Sequence, residues 1–460
     1  MSPKGLRPLS LFIVTALLSL EVASAGQSGV QFLGSKKLDY SEDQPILGIS
    51  SIRYDKAHNQ FILLSDDTGA VPNYYGKNGQ SRYYLIPEET LINRQGVVKS
   101  KDPFLKTSGS LVQEVPIQPN DTIVWTTNGH IDTEGFDFLG DNAFLVASEQ
   151  SATFLFNWVS PWIRFPGWNV HSSLLKVGRD GSLLGAYHYP SEFSNSGWRF
   201  DWKVPHWVPF AYDTEIYNWH SEDPNRKGVK RNRGFETVTH LPGTSDYIAI
   251  TEQSLLQDDK NWDHSQGTTP SRVLRFSMAE PANLVSAYVK PDVQYHYQPT
   301  PVPVELFDPL ADVIVQSVSD AQAINDHQFL VIEKNYVKKA NRKTVNYSFS
   351  EIYLVDLNDP LPPIQGNSSN GSQESNNETP ENTVTPLPLL RKKRLLSTQD
   401  FEKTFPDFKR INIEGVTLGP DGDSGNKLLV LVSDNGANSP KPRSTDVIFF
   451  KVPEKLFKMQ

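Results

Sequence analysis

Five apolar runs of strand length in this chain stop on a carboxylate. Phe61-Ile62-Leu63-Leu64-Ser65 leads to Asp66, and Phe144-Leu145-Val146-Ala147-Ser148 to Glu149. Tyr247-Ile248-Ala249-Ile250-Thr251 leads to Glu252, Phe329-Leu330-Val331-Ile332 to Glu333, and Leu428-Leu429-Val430-Leu431-Val432-Ser433 to Asp434. A second acidic signal stands ahead of four of them: Asp132-Thr133-Glu134-Gly135, Arg233-Gly234-Phe235-Glu236, Asp320-Ala321-Gln322-Ala323 and Ile413-Glu414-Gly415-Val416. The first copy has Gly48-Ile49-Ser50-Ser51-Ile52 instead. A unit that repeatedly ends strands on acids constrains the fold strongly, because a radial array of such units brings the acids to one axis.

After each acid comes another strand-like segment rich in β-branched or aromatic residues, such as Val273-Leu274-Arg275-Phe276 and Val447-Ile448-Phe449-Phe450. Gly178-Arg179-Asp180-Gly181 reads as a hairpin turn. One unit therefore runs acidic turn, strand, acid, strand, turn, strand, which is the outline of a propeller blade of about four strands. The expected fold is all-β, a β-propeller with radial sheets around a central channel. The first acids stand roughly 80–100 residues apart, against about 40–50 for a compact blade, so the blades carry long insertions or some have lost the signature. Six blades are favoured, with five to seven open. Residues 29–38, with Val30, Phe32 and Leu33, are expected to close the ring by pairing with the last blade, which protects sheet edges.

Residues 1–25 read as a signal peptide: Lys4 and Arg7, an apolar stretch over 11–20, then Ala23-Ser24-Ala25. The chain is expected to be exported, to the periplasm or beyond the cell, with residues 26–460 as the propeller domain. No later segment reaches 18 apolar residues, so no membrane span is expected in the mature chain. Two insertions are set apart. Residues 151–231 hold seven of the nine tryptophans (Trp158, Trp162, Trp168, Trp198, Trp202, Trp207, Trp219), either as a substrate platform over the channel or as rings packed against a blade. Residues 365–386, rich in Asn, Ser, Glu, Thr and Pro, read as a flexible loop carrying sequons at Asn367, Asn370 and Asn377.

The chain has no cysteine, which removes disulfides, thiol nucleophiles and Cys-ligated zinc. A net charge of −9 argues against nucleic acid as a partner and fits a binder of cations. No Gly-x-Ser-x-Gly elbow marks a serine hydrolase, and the ten histidines form no metal-ligand pair; His130, just before Asp132, is the best placed of them. The chemistry falls to the acids. Asp66, Glu134, Glu149, Glu236, Glu252, Glu333, Glu414 and Asp434 would crowd one mouth of the axis, where like charges raise one another's pKa unless something positive compensates. A hard divalent cation, Ca²⁺ or alternatively Mg²⁺, suits an all-oxygen ligand set. Arg233, Arg53, Arg82, Arg272 and Lys334 offer the other compensation. Each acid has an alternative role, accepting backbone N–H bonds in its own turn.

These motifs, with Gly48-Ile49-Ser50-Ser51-Ile52-Arg53-Tyr54-Asp55, Leu64-Ser65-Asp66-Asp67 and Val432-Ser433-Asp434-Asn435, resemble those of the exported phytase-like family, also labelled "esterase-like activity of phytase", over roughly residues 45–452. The resemblance implies a β-propeller and metal-assisted hydrolysis of phosphoric or carboxylic esters. The Asp-Asp-Pro-Ala motif of calcium-dependent β-propeller phytases is absent. The leading expectation is a monomeric, exported, Ca²⁺-assisted hydrolase of small anionic phosphate esters. Glu236, Arg233 and Glu134 are the expected catalytic residues, and the eight acids above the expected metal ligands. The alternatives are a non-catalytic propeller that binds an anionic or carbohydrate ligand, and a carboxylesterase.

Overall fold

A computed structural model describes residues 29–38, 46, 48–65, 81–92, 104–105, 113–117, 132–149, 172–193, 198–200, 209–211, 228–230, 233–261, 268–278, 287–303, 312–339, 345–363, 387–409, 411–422, 425–434 and 445–459. Strand is the dominant regular structure among the described residues. The only α-helices among them are Glu88–Leu91 and Leu256–Asn261. No helix among the described residues is long and apolar enough to cross a membrane.

The strands make five antiparallel meanders, each starting with an inner strand. Blade one is Ile49–Asp55, Gln60–Ser65, Arg82–Pro87 and Gln113–Pro116. Blade two is Thr133–Leu139, Ala143–Ser148, Ser173–Gly178 and Leu183–His188. Blade three is Phe235–His240, Asp246–Thr251, Ser271–Ser277 and Val293–Tyr297. Blade four is Asp312–Ala323, Gln328–Lys339, Val345–Leu361 and Leu389–Ser397. Blade five is Asn412–Leu418, Asn426–Asp434 and Thr445–Pro453, completed by the N-terminal strand Gln31–Leu38 in antiparallel register on Thr445–Pro453. The ring closes as expected. Each inner strand packs on the inner strands of its two neighbours, and blade five returns to blade one.

The described residues thus form five blades rather than the favoured six, within the open range of five to seven. The five acid-terminated runs are the five blades, and the wide spacing between them comes from insertions. The 151–231 segment is only partly an insertion, because it contains the last two strands of blade two. Its tryptophans other than Trp198 lie outside the described residues, as do residues 365–386 and 1–28. Trp198–Phe200 pairs with Pro209–Ala211 in a two-stranded sheet. Apolar clusters fill the spaces between successive sheets; Ile62, Phe144, Val146 and Leu175, for example, lie between blades one and two.

An inner strand is a sheet edge, and its unpaired N–H groups face a crowded, dry axis where each is costly if unsatisfied. Polar side chains at one height meet this demand by reaching to the next blade. The Thr417 hydroxyl accepts from Tyr54 N–H at 3.1 Å, Asp137 from His240 N–H at 2.9 Å, Thr239 from Ala323 N–H at 2.8 Å and Gln322 from Leu418 N–H at 2.6 Å. The equivalent residue of blade one is Arg53, a donor, and it does something different. It crosses the axis and forks both oxygens of Asp320 on blade four at 2.8 and 3.0 Å. It also donates to the carbonyls of Ala321 (2.7 Å) and Val416 (3.1 Å). Asp320 in turn accepts from Ser51 at 3.1 Å, Thr237 at 2.8 Å and the Val416 N–H at 3.0 Å. Arg53 and Asp320 are fully buried, so the axis at this height is filled rather than an open channel.

The glycine in the Glu-Gly signature follows from the same crowding. A Cβ on Gly415 would lie 2.8 Å from the Ile52 nitrogen, and one on Gly135 would lie 2.5 Å from the Thr237 Cα. Adjacent inner strands approach too closely there for any side chain.

Removing one partner of a buried ion pair strands the other charge. Asp320→Asn is expected to destabilise the protein by about 3–5 kcal/mol, read from urea unfolding midpoints. A loss below about 1 kcal/mol, the range of an exposed pair, would show that the axial pair contributes little.

Candidate active site

Each inner strand carries a bulge just inside the mouth, between Ile49 and Ser51, Thr133 and Phe136, Phe235 and Thr237, Val318 and Ala321, and Ile413 and Gly415. A bulge re-aims the side chain it carries. The residues placed there are Ser50, Glu134, Glu236, Ser319 and Glu414, so the three glutamates of the sequence signature do stand at equivalent heights. The two serines of this ring stitch neighbouring blades. Ser50 donates to the Thr133 carbonyl at 3.0 Å and Ser319 to the Ile413 carbonyl at 3.2 Å.

The second acids follow the ends of the adjacent strands. Ser148, Thr251 and Ser433 lie opposite Thr133, Phe235 and Ile413, which puts Glu149, Glu252 and Asp434 at the mouth. Blade four breaks the pattern by one residue. Glu333 itself lies opposite Val318, so the mouth position belongs to Lys334. A one-residue shift in a strand reverses the face on which a side chain projects. Glu333 is accordingly turned away from the acids and is held by Lys392, by the Tyr297 hydroxyl at 2.7 Å and by the Thr300 N–H at 2.9 Å. Asp66 and His130 lie outside the described residues.

The structure brings together two overlapping triads of carboxylates, Asp132–Glu134–Glu149 and Glu149–Glu236–Glu252, with the ligand atoms of each triad all within 4.8 Å of one another. Asp132 was not among the expected ligands, although it opens a motif singled out in the sequence. Glu149 accepts the Gly234 N–H at 2.6 Å. Glu252 is clasped by Arg233 through both oxygens at 2.9 and 2.8 Å, so Arg233 braces Glu252 rather than Glu236. Lys334 pairs with both oxygens of Glu414 at 2.8 and 2.9 Å and stands 3.9 Å from Glu252. Arg272 is outside the group, paired with Asp258 at 2.6 Å, and Arg53 belongs to the axial pair below.

Burial decides the electrostatics here. It raises Glu149 and Glu236 well above the ordinary carboxylate range, and repulsion from Glu252 adds to both. Burial alone brings Asp132 to about 7. Burial also lifts Glu414 to about 7, against the pull of Lys334. For Lys334, burial works downward, but the charges of Glu414 and its neighbours outweigh it and hold the ammonium well above its usual value. Such a group of acids either holds protons at neutral pH or meets a cation. An oxygen-only set whose Asp132 and Glu236 carboxylates make no hydrogen bond among the described residues fits a hard divalent ion, which Asp132, Glu134, Glu149 and Glu236 would hold.

The model of the phytase-like family, described as esterase-like activity of phytase, matches residues 44–437. The chain belongs to that family. Membership points to a hydrolase-type function on a small substrate, in a family that is often metal-dependent, and the match spans all five inner strands and every described acid of the mouth. No curated protein matches the chain. Among solved structures, a protein of unknown function from Dyadobacter fermentans DSM 18053 is 10% identical, covers 92% of this chain and 99% of its own, and has a TM-score of 0.33. Kuenenia stuttgartiensis hydrazine synthase is 8% identical over 86% of this chain and 81% of its own, with a TM-score of 0.29. Drosophila Plexin A, solved in complex with Semaphorin 1b, is 10% identical over 88% and 64%, with a TM-score of 0.27.

Two outcomes follow for this phytase-like mouth. Glu236→Gln should weaken Ca²⁺ binding at least about tenfold, a change of about 1.4 kcal/mol, whereas Glu333→Gln should leave it unchanged; calorimetric titration of the two folded variants separates them. The pH dependence has a definite sign. Asp132 and Glu414 have folded-state values near 7, above their unfolded values of about 4. They remain protonated in the folded protein where the unfolded chain has already ionised. Their stabilisation is therefore full below about pH 4 and is lost as pH rises toward 7 and beyond. In chelator, the melting temperature should fall between pH 5 and pH 8, and millimolar Ca²⁺ should restore it more at pH 8 than at pH 5. A chelator curve that rises across this range would contradict the assignment.

Proposed function

We propose that this protein hydrolyses phosphate esters at the acid-lined mouth, with a divalent cation, Ca²⁺ or Mg²⁺, held by Asp132, Glu134, Glu149 and Glu236. The observation that carries the reading is Glu236. It is only 6% exposed and makes no hydrogen bond among the described residues, yet it faces two other carboxylates at the mouth of a phytase-like propeller. A bound divalent cation would neutralise phosphate oxygens and make water a better nucleophile at neutral pH.

The chain's own residues supply the rest. Burial, with repulsion from Glu252, raises the Glu236 carboxyl well above the ordinary carboxylate range, the direction wanted of a general acid or base. Arg233 is fixed by its two-point grip on Glu252 and keeps a quarter of its side chain exposed to the mouth, where a guanidinium can donate to phosphate oxygens. Lys334 adds a second fixed positive charge on the opposite side of Glu252. The signal-peptide reading of residues 1–25 supports an exported enzyme acting on a small extracellular or periplasmic ester.

Phosphate release from phytate and from p-nitrophenyl phosphate, with Ca²⁺ or Mg²⁺ and with chelator, tests this directly. Cation-dependent turnover is expected, reduced by about 100-fold or more in Glu236→Gln, in the range that general acid–base groups contribute. No phosphate release under any of these conditions would refute the reading, and turnover of p-nitrophenyl acetate alone would make the protein a carboxylesterase.

A further inference from the structure

Around the mouth, the second-acid height is occupied by Glu149, Glu252 and Asp434 on blades two, three and five, but by Lys334 on blade four. Lys334 is 8% exposed and does not extend into solvent as a lysine at a strand end ordinarily would. Its ammonium lies 2.8 and 2.9 Å from the two oxygens of Glu414 on blade five and 3.9 Å from Glu252 on blade three. It also rests 5.8 Å from the centre of the Tyr336 ring, whose hydroxyl bonds Asn412, itself a donor to Glu414. Two carboxylates from the flanking blades therefore converge on one ammonium between them. Glu236 on blade three is as deeply buried and has no hydrogen-bond partner among the described residues, although the Lys334 charge reaches it, and the Asp132 carboxylate, 5% exposed, has none either.

We propose that Lys334 is a tethered cation that takes the place a divalent ion would occupy between Glu252 and Glu414, and so confines divalent cations to the side of the mouth formed by Asp132, Glu134, Glu149 and Glu236. The inference deepens the hydrolase reading above and rests on its claim that this mouth binds divalent cations. Its physical basis is charge equivalence with different coordination. An ammonium donates three hydrogen bonds along one stem, whereas Ca²⁺ takes six to eight oxygens, so a lysine neutralises two acids without recruiting further ligands. Glu252 and Glu414 thereby have their compensation built into the chain.

The test is the number of Ca²⁺ ions bound, measured by calorimetry on the full chain as wild type, Lys334→Gln and the double variant Lys334→Gln/Glu414→Gln. Lys334→Gln should bind one more Ca²⁺ than wild type, and the double variant should return to the wild-type number. Equal numbers for folded wild type and Lys334→Gln would overturn the proposal, as would an extra ion that persists in the double variant. If Lys334→Gln is unfolded in chelator, millimolar Ca²⁺ should refold it by circular dichroism, and failure to do so would equally overturn it. A wild type that binds no Ca²⁺ would remove the cation from the hydrolase reading, while the difference between wild type and Lys334→Gln alone decides the role of Lys334.

Discussion

The fold depends on one ion pair that crosses its axis. Arg53 and Asp320 come from blades one and four, and their hydrogen bonds reach blades three and five as well. A propeller gathers sheet edges at its centre, the worst place to leave N–H and C=O groups without partners. Small polar residues solve the problem between neighbours, and Arg53, helped by Ser51, ties blade one to the non-adjacent blade four. The fully buried pair is costly to desolvate, and its cost is offset by a nearly complete set of bonds: Asp320 accepts from Ser51, Thr237 and the Val416 N–H as well as from Arg53, and Arg53 donates to the Ile52, Ala321 and Val416 carbonyls. Because the pair fills the axis at its own height, the acids above it do not line an open bore.

The mouth inherits its electrostatics from the same geometry. Inner strands that pack tightly enough to require glycine at 135 and 415 also hold their bulged glutamates close together. Repetition multiplies the acids, while the buried floor denies them water. Among the described residues the chain answers with Arg233 on Glu252 and Lys334 on Glu414. Asp132, Glu149 and Glu236 are left without an ion pair inside 4 Å among the described residues, and this imbalance is what supports the proposed cation site. Family membership and the site thus point the same way: the family supplies a hydrolase-type function, and the acids supply the oxygen donors.

Much of this was legible in the sequence because it rests on local pattern. Apolar runs ending on acids marked the second strands, and the Glu-Gly pairs marked the inner strands. The stretch around Val30 and Phe32 marked the closing strand. Blade number was not legible, since insertions dilute a period and the count of signatures, five, was itself the answer. The identity of blade four's mouth residue was also hidden. Glu333 ends an apolar run as the other acids do, but it lies opposite Val318, the place that Ser148, Thr251 and Ser433 take opposite Thr133, Phe235 and Ile413, so the mouth position falls to Lys334. Asp320 looked like a fourth member of the first-acid ring and is instead one residue deeper, where it meets Arg53. The axial pair joins residues 267 positions apart, and no local pattern carries it.

The central claim is that the buried carboxylates of the mouth are a divalent-cation site. A crystal structure of the protein grown with Tb³⁺ in place of Ca²⁺, with anomalous differences collected at a terbium edge, tests it most directly. The account predicts an anomalous peak within about 2.3–2.6 Å of carboxylate oxygens of Glu149 and Glu236, the range for a Ca²⁺-like ion. A mouth without anomalous density, in crystals that show the acids ordered, would contradict it.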